Sequence, residues 1–554
     1  MAQGSFARPD AKARLGVTPF DVIVIGANLV GGGIALDASA RGLRTALLEP
    51  ADFGAGDCSG GSDLWPLLQA PVNALSPRHL LDVVEAATER QYLRQIAPHL
   101  VSELPIVVPA LEERAAGGNG TSEGGGGGPV AARPSPRGWW PWARRRARRL
   151  GLTSPADLAE LVPLLRPAGL AGAWVSTRVE VDEAVLSLAL ARTAALDGAA
   201  VVLNRVGLSI RPDPASGRAR VRVEVDGDVA EITARVVVEA RAARSATPTT
   251  GPRARFLRVA VRRDALALEA ALVVPGDEGT RPICCVPGEA HTRLGMVVDG
   301  PGGRMPQVEA MLAAVRQRLA CHLGAADVTA TWEEACPATD AEPGEGEGED
   351  AAGPTRRHPL HQVAPGWVSV LGGTVTTYRE LARQTVDAAV EGLDERTRLR
   401  LHRRSLTHRL QLRGATSWSD VRDGRDLGRG PSLVDDHARR RLARRYGGEA
   451  RVVLAMVGQR PQLRRPLVEG LPYLAAEAVY AVRYEMAGGL LDVLARRTPA
   501  LREDAEATAA AAGRVAELLA PECGWDARRR AAEVGAVRAE AAGRAQVATP
   551  APGY

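Results

Sequence analysis

In the stretch DVIVIGANLVGGGIALDASARGLRTALLEP, residues 21–50, two glycines and an acid stand where they could hold a phosphorylated ligand. A turn that takes a pyrophosphate between strand and helix needs one glycine to turn tightly. It needs a second so that the phosphates can reach backbone, and a third so that the helix can close on the strand. Gly26 and Gly31 occupy the first and third positions, and Asn28 occupies the second. Asn28 brings a β-carbon to the point of closest approach, yet asparagine tolerates unusual backbone and its amide is itself able to contact phosphate. Glu49 follows the turn by about twenty residues, where a carboxylate can accept hydrogen bonds from both hydroxyls of an adenosine ribose. The ligand expected from this stretch is an adenine dinucleotide. Glycine-rich strand-to-helix turns also arise for packing alone, so the stretch does not decide the matter by itself.

The elements that must position these residues read as an apolar strand, a helix and a second apolar strand, the start of a parallel α/β sheet. A helix is expected over 78–97, RHLLDVVEAATERQYLRQIA, from apolar groups three and four residues apart. Between 150 and 335, ARVRVEVDGDVAEITARVVVEA and ALVVP read as strands, with helices at 182–196 and 305–322. From about 408 onward the segments are helical, as in EAVYAVRYEMAGGLLDVLARR. The expected organisation is an N-terminal tail (1–19), a mixed α/β region (20–407), an all-helical C-terminal domain (408–545) and a short tail (546–554). Residues 113–137 and 340–357 are low-complexity insertions, too poor in apolar groups to order themselves.

A chain of 554 residues with 45% hydrophobic content can bury large cores. Its formal charge of +5 and pI near 9.0 arise from cations mixed with 65 acids along the whole length, so no nucleic-acid partner is expected. Lys12 is the single lysine, which removes Schiff-base chemistry. The six cysteines show no metal spacing and read as reduced thiols of a cytoplasmic protein, and no metal is expected. The N-terminus lacks a signal-peptide core, and no apolar run is long enough to span a bilayer. GWWPWARRRARRLG, residues 138–151, suits the surface of an anionic membrane, or equally a helix that packs its tryptophans inward.

A second segment carries more information. GWVSVLGGTVTTYRELARQTVDAA, residues 366–389, runs strand, Gly372-Gly373, then a helix opening Thr-Thr-Tyr-Arg. It resembles the second flavin-contacting segment of the FAD-dependent (aerobic type) glycerol-3-phosphate dehydrogenases. The resemblance extends through EPADFGAG, RQYLRQIAPHLV, VEVDEAVLSLALARTAALDGA, TRLGMVVDG and the tail GLPYLAAEAVYAVRYEMAGGLLDVLARRTPAL. It implies an FAD-binding Rossmann-like domain of the glutathione-reductase type, a mixed-sheet substrate domain and a helical cap. It also implies FAD held by Gly26, Asn28, Gly31, Glu49, Ser59, Gly372, Gly373 and Thr374. The implied reaction is oxidation of glycerol 3-phosphate, or a related alcohol, to dihydroxyacetone phosphate, with hydride passing to the flavin and electrons to a quinone or other membrane-surface acceptor, or to oxygen. The implied location is cytoplasmic, or peripheral at the inner face of the membrane.

The sequence departs from that family where substrate cations are expected. Asp63 stands for a lysine, Pro66 for a histidine, Cys336 for an arginine and Thr374 for the lysine of Gly-Gly-Lys. Arg258 falls at an active-site histidine and could still bind phosphate through its fork. The resemblance places Arg241 in a turn near the cofactor, where its side chain either obstructs FAD or points outward. Each charge-assisted phosphate contact contributes about 1.5–3 kcal/mol. Two expectations therefore stand side by side, a divergent oxidoreductase and a non-catalytic member that keeps the fold for binding or assembly.

Overall fold

The structure, a computed structural model, describes residues 4–55, 77–111, 155–167, 170–213, 218–241, 253–275, 281–298, 304–337, 360–402, 404–422 and 434–545. Ser59, Asp63, Pro66, the tryptophan-arginine segment and both low-complexity insertions lie outside them.

Short strands of Val, Ile, Leu and Ala carry the central sheet. β1 (Val22–Ile25), β2 (Thr45–Leu48) and β5 (Val201–Leu203) are buried at every residue, as parallel strands covered on both faces must be. β9 (Val236–Arg241) and β16 (Trp367–Leu371) join them in parallel, and β15 (His361–Ala364) closes the edge antiparallel, giving the order β15-β16-β9-β1-β2-β5. Ile25 pairs with Glu239, so the residue after β1, Gly26, comes level with the end of β9.

The N-terminal segment corrects the expectation of a tail. α1 (Arg8–Leu15) begins with proline inside its first turn and buries Ala11 and Leu15 against β5-side residues such as Val201 and Leu203. On the sheet's other face, α2 (Leu29–Ala40) is apolar all round, as suits a helix enclosed on every side, and Leu29 through Ser39 are buried. Beyond it, α3 (Pro77–Ile96) fulfils the helix expected over 78–97. α4 (Glu183–Leu196), capped by Asp182, and α6 (Tyr378–Glu391) flank α2. Glycines let them approach: a Cβ on Gly32 would stand 3.0 Å from Leu190, and one on Gly33 would stand 3.0 Å from the Tyr378 ring.

The segment read as alternating strands, 219–240, forms β7 (Arg218–Val225), β8 (Asp228–Ala234) and β9; β7 and β8 join β6 (Gly207–Asp213), which precedes it, in an antiparallel meander. Asp226 and Gly227 both take positive φ, the two-residue turn that matches strand twist. The buried half of β7, Val221 and Val223, packs on Ile23, Ile25 and Leu48.

A second, seven-stranded sheet is mixed. It comprises β3 (Ser102–Leu111), β4 (Leu170–Glu180), β10 (Arg253–Arg262), β11 (Ala271–Val274), β12 (Ile283–Pro287), β13 (His291–Val298) and β14 (Val328–Pro337), in the order β14-β10-β13-β12-β11-β3-β4. Between β13 and β14, α5 (Arg304–Arg318) covers one face through Val308, Met311, Leu312 and Val315. After residue 434, helices alone carry the fold among the described residues: α7 (Asp436–Tyr446), α8 (Ala450–Gln459), α9 (Ala475–Tyr484), α10 (Ala505–Cys523) and α11 (Ala527–Ala545). They share a core that includes Leu442, Val453, Val479, Leu494 and Leu519. Aspartates 435 and 504 accept backbone N–H groups at the starts of α7 and α10, the expected chemistry of helix caps.

Candidate functional site

Two glycine turns meet at one end of the parallel sheet. Gly26 has φ +98°, a region that side chains disfavour, and a Cβ there would stand 2.3 Å from the Ala240 carbonyl oxygen at the end of β9. A Cβ on Gly31 would stand 1.8 Å from the Gly26 carbonyl oxygen. Both glycines are therefore demanded by backbone meeting backbone.

Asn28 is extended, with φ −82° and ψ −175°, and caps α2. Its Oδ1 accepts from the Gly31 N–H at 3.0 Å and its Nδ2 donates to the Ala240 carbonyl at 3.0 Å. Each end of the carboxamide is thus engaged inside the protein, and one Nδ2 hydrogen remains to offer a phosphate oxygen. Among the described residues the Leu29 and Val30 N–H groups have no acceptor, which leaves two amides at the positive end of α2.

Glu49 leaves the end of β2 and turns its carboxylate toward the same turn. Oε2 accepts from the Ala27 N–H at 2.6 Å and Oε1 from the Ala51 N–H at 2.8 Å. Burial holds the carboxyl above its ordinary range, against the pull of those two amides. Each oxygen keeps a further lone pair for a hydroxyl donor.

From the other direction, β16 leads into Gly372 and Gly373, with φ +78° and +104°. A Cβ on Gly373 would stand 2.3 Å from Val30 Cγ2, so the two glycine segments, more than 300 residues apart, touch. Thr374 is exposed; its carbonyl accepts from Thr377 and Tyr378 N–H, and its own N–H donates to Thr377 Oγ1 at 2.8 Å, which winds the chain into α6. Arg379 in the same segment is drawn away, with Nε donating to Glu89 Oε2 of α3 at 2.8 Å and its guanidinium over the Tyr92 ring at 4.9 Å.

Arg258 belongs to the seven-stranded sheet. It is buried, opposite Gly295 on one side and Trp332 on the other, and Cys284 follows across Gly295 on the same face. Burial pushes the Cys284 thiol up to about 12, although Arg258 and Arg293 pull it down, so it is no thiolate nucleophile. Sequence reasoning missed the rest of this face. Arg293 shares it one pair further along and is ion-paired with Glu180 at the end of β4. Close by, burial pushes the Glu503 carboxyl up to about 7 while it accepts from Tyr473 Oη at 2.8 Å and neighbours Arg293 and Arg502. No signal in the sequence pairs these residues, for they lie hundreds of positions apart in some cases. The side chains of Arg241 and Cys336 lie outside the described residues, as does Ser59. Among the described residues no cluster of His, Cys, Asp and Glu has metal-site geometry, and no helix is long and apolar enough to cross a membrane.

Comparison with known families accounts for this arrangement. Residues 21–372 match the model of the family described as FAD dependent oxidoreductase, and residues 405–530 match the C-terminal domain of alpha-glycerophosphate oxidase. The chain is 31% identical to glycerol-3-phosphate dehydrogenase 2 of Mycobacterium bovis, over 95% of this chain and 88% of that one. The chain belongs to the FAD-dependent glycerol-3-phosphate dehydrogenase family. Other members similar to it include the mitochondrial glycerol-3-phosphate dehydrogenases of Arabidopsis thaliana, 29% identical over 93% of this chain and 85% of that one, and of Homo sapiens, 28% identical over 92% and 71%. The fold of the family is shared with the glycerol-3-phosphate dehydrogenase of Bacillus halodurans solved with FAD, at a TM-score of 0.69 and 21% identity over 98% of this chain and 99% of that one. The α/β region with a helical C-terminal part, expected from the sequence, is the architecture of that family.

Proposed function

We propose that this chain binds FAD across the two glycine turns and oxidises glycerol 3-phosphate, or a closely related phosphorylated alcohol, to the corresponding ketone. The observation that carries the reading is the contact of Gly373 with Val30, which brings the two expected cofactor segments to one place. The residues fit an adenine dinucleotide. Gly26 and Gly31 leave no β-carbon at the turn, the Leu29 and Val30 amides and the α2 dipole suit a pyrophosphate, and Glu49 suits the ribose hydroxyls. Gly372, Gly373 and Thr374 offer backbone beside the ring system. Bound there, FAD supplies the hydride acceptor.

The protein's share is orientation and charge. On the seven-stranded sheet, Arg258 and Arg293 put two guanidiniums on one face, and we assign the substrate phosphate to that face. Thr374 contributes no charge, in keeping with a substrate held by fewer cations than the resemblance implies. Electrons leave to a quinone or another acceptor at a membrane surface, which a protein in the cytoplasm meets at its inner face.

A second reading is a member that retains the fold without turnover. It is favoured by Asn28, whose side chain occupies the approach that a glycine would leave open. One experiment separates the two. Purified protein is examined for flavin absorbance, then mixed with glycerol 3-phosphate without air. Bleaching of the flavin band is the expected result; a yellow protein that glycerol 3-phosphate leaves unbleached sinks the substrate, and a protein that takes up no FAD on titration sinks the cofactor.

A further inference from the structure

The loop that carries Glu49 is held by residues from the far end of the chain. Residues 49–55 bracket the glycine turn: Glu49 accepts from the Ala27 N–H, and the Gly54 N–H donates to the Ala27 carbonyl at 3.3 Å. Between them stands Asp52, 1% exposed. Its carboxylate accepts from Arg497 Nη1 and Nη2 at 2.7 and 2.9 Å, from Arg496 Nε at 2.8 Å and from Asn204 Nδ2 at 2.9 Å. Burial alone would raise the Asp52 carboxyl, but the two guanidiniums hold it well below the usual carboxylate range. Arg497 is itself 3% exposed, lies over the Phe53 ring at 5.9 Å and donates to the Glu485 carbonyl at 3.0 Å.

Both arginines belong to a π-helical turn, Asp492–Arg497, within the helical C-terminal part. Such wide turns cost regular hydrogen bonding and commonly mark functional places. Here the turn delivers Arg496 and Arg497 side by side to one carboxylate, while Asp492 in the same turn binds Arg205, just beyond β5, at 2.7 Å. The helical part thus grips the parallel sheet at the loop that places the ribose acid.

We infer that Arg497, with Arg496, is a positioning residue for the cofactor. By fixing Asp52 it fixes Glu49 and the Ala27 peptide, so that docking of the helical part and retention of an adenine dinucleotide are coupled. Coupling of this kind is reciprocal, and ligand at the turn tightens the seam in return. The inference rests on the FAD reading for its ligand, but its mechanical half concerns the protein alone.

The test uses the full chain and a control pair. Arg441 and Glu477 form an equally buried ion pair wholly inside the helical part. Arg497→Met and Arg441→Met are compared by urea unfolding, by FAD titration followed through flavin fluorescence, and by amide exchange of the FAD-free protein in peptides spanning 22–36 and 45–55. Both variants are expected to unfold more easily. Only Arg497→Met is expected to weaken FAD, on the order of tenfold or more, and to speed exchange in both peptides. Arg497→Met with wild-type FAD affinity and wild-type exchange overturns the inference, and so does an equal effect of Arg441→Met. Should Arg497→Met not be recovered folded, Arg497→Lys, which keeps the charge and loses the fork, carries the same comparison. If the wild-type protein takes up no FAD, the FAD reading fails and the exchange measurement alone decides the positioning role.

Discussion

The glycine turns of the six-stranded sheet and the charged face of the seven-stranded sheet are built in opposite ways. At the turns, glycine backbone is met at close quarters: Gly26 lies against the Ala240 carbonyl, Gly31 against the Gly26 carbonyl and Gly373 against the Val30 side chain, and a single β-carbon would intrude at each. On the charged face, long side chains find one another, as Arg293 finds Glu180, and beside it in the helical part Tyr473 finds Glu503. A site made of backbone depends on a few residue types that nothing else can replace. One made of charge pairs can be rewritten, provided each charge keeps a partner. Glycine turns of this kind therefore resist substitution more than a charged face does.

The comparison breaks most severely at Gly31. Gly31→Ala places a methyl 1.8 Å from the Gly26 carbonyl oxygen, and only movement of α2 away from β1 relieves it. The expected loss is about 3 kcal/mol or more, the scale of overpacking in a rigid core. Urea unfolding reads it directly, and flavin absorbance should vanish from the purified variant. An unchanged midpoint would show that the turn yields easily, against the backbone account.

Gly373→Ala comes next. The position combines φ +104° with a contact of 2.3 Å, but the contacted atom is a Val30 methyl, which can shift further than a carbonyl can. A destabilisation of about 1–3 kcal/mol is expected from the strained backbone and the displaced side chain. FAD titration should weaken with it, since the alanine separates the two turns. Weakening of neither would place the two segments in contact for packing alone.

The contrast between the regions also sets what the sequence could reveal. Gly26, Gly31, Gly372 and Gly373 were legible because glycine in a short strand-to-helix turn has few explanations. Buried four-residue strands were legible from runs such as VIVI and TALL. The N-terminal helix was not, since RPDAKARL is polar and buries only Ala11 and Leu15. Nor was the role of Asn28, whose partner Ala240 lies 212 residues away. Arg258 could be located by resemblance, but Arg293, Glu503 and the Asp52–Arg497 pair could not. Their meaning lies in a partner that only the folded chain supplies.

Asn28→Gly sharpens the comparison, because its two effects run in opposite directions. The variant loses a helix cap and leaves the Ala240 carbonyl without its donor, so stability should fall by about 1 kcal/mol. It also removes the β-carbon at the closest approach to the turn, so FAD should bind more tightly in a fluorescence titration. Tighter binding at lower stability would identify Asn28 as a concession to folding. Weaker binding would mean instead that the carboxamide shapes the turn for its ligand.

The smallest effect concerns pH and the charged face. The Glu503 carboxyl is raised from an ordinary 4.5 to about 7, chiefly by burial. The folded protein therefore binds more protons than the unfolded chain between those values, and this contribution to stability is full below about 4.5 and is lost as pH rises through about 7. Glu503→Gln keeps an acceptor for the Tyr473 hydroxyl and removes the titration. The variant should match wild type near pH 4 and gain on it toward pH 8, by about 1 kcal/mol because Glu503 is only half-buried. A difference that stays flat across that range would mean that Arg293 and Arg502 keep Glu503 ionised, and that the face is a closed set of ion pairs with no proton held in reserve.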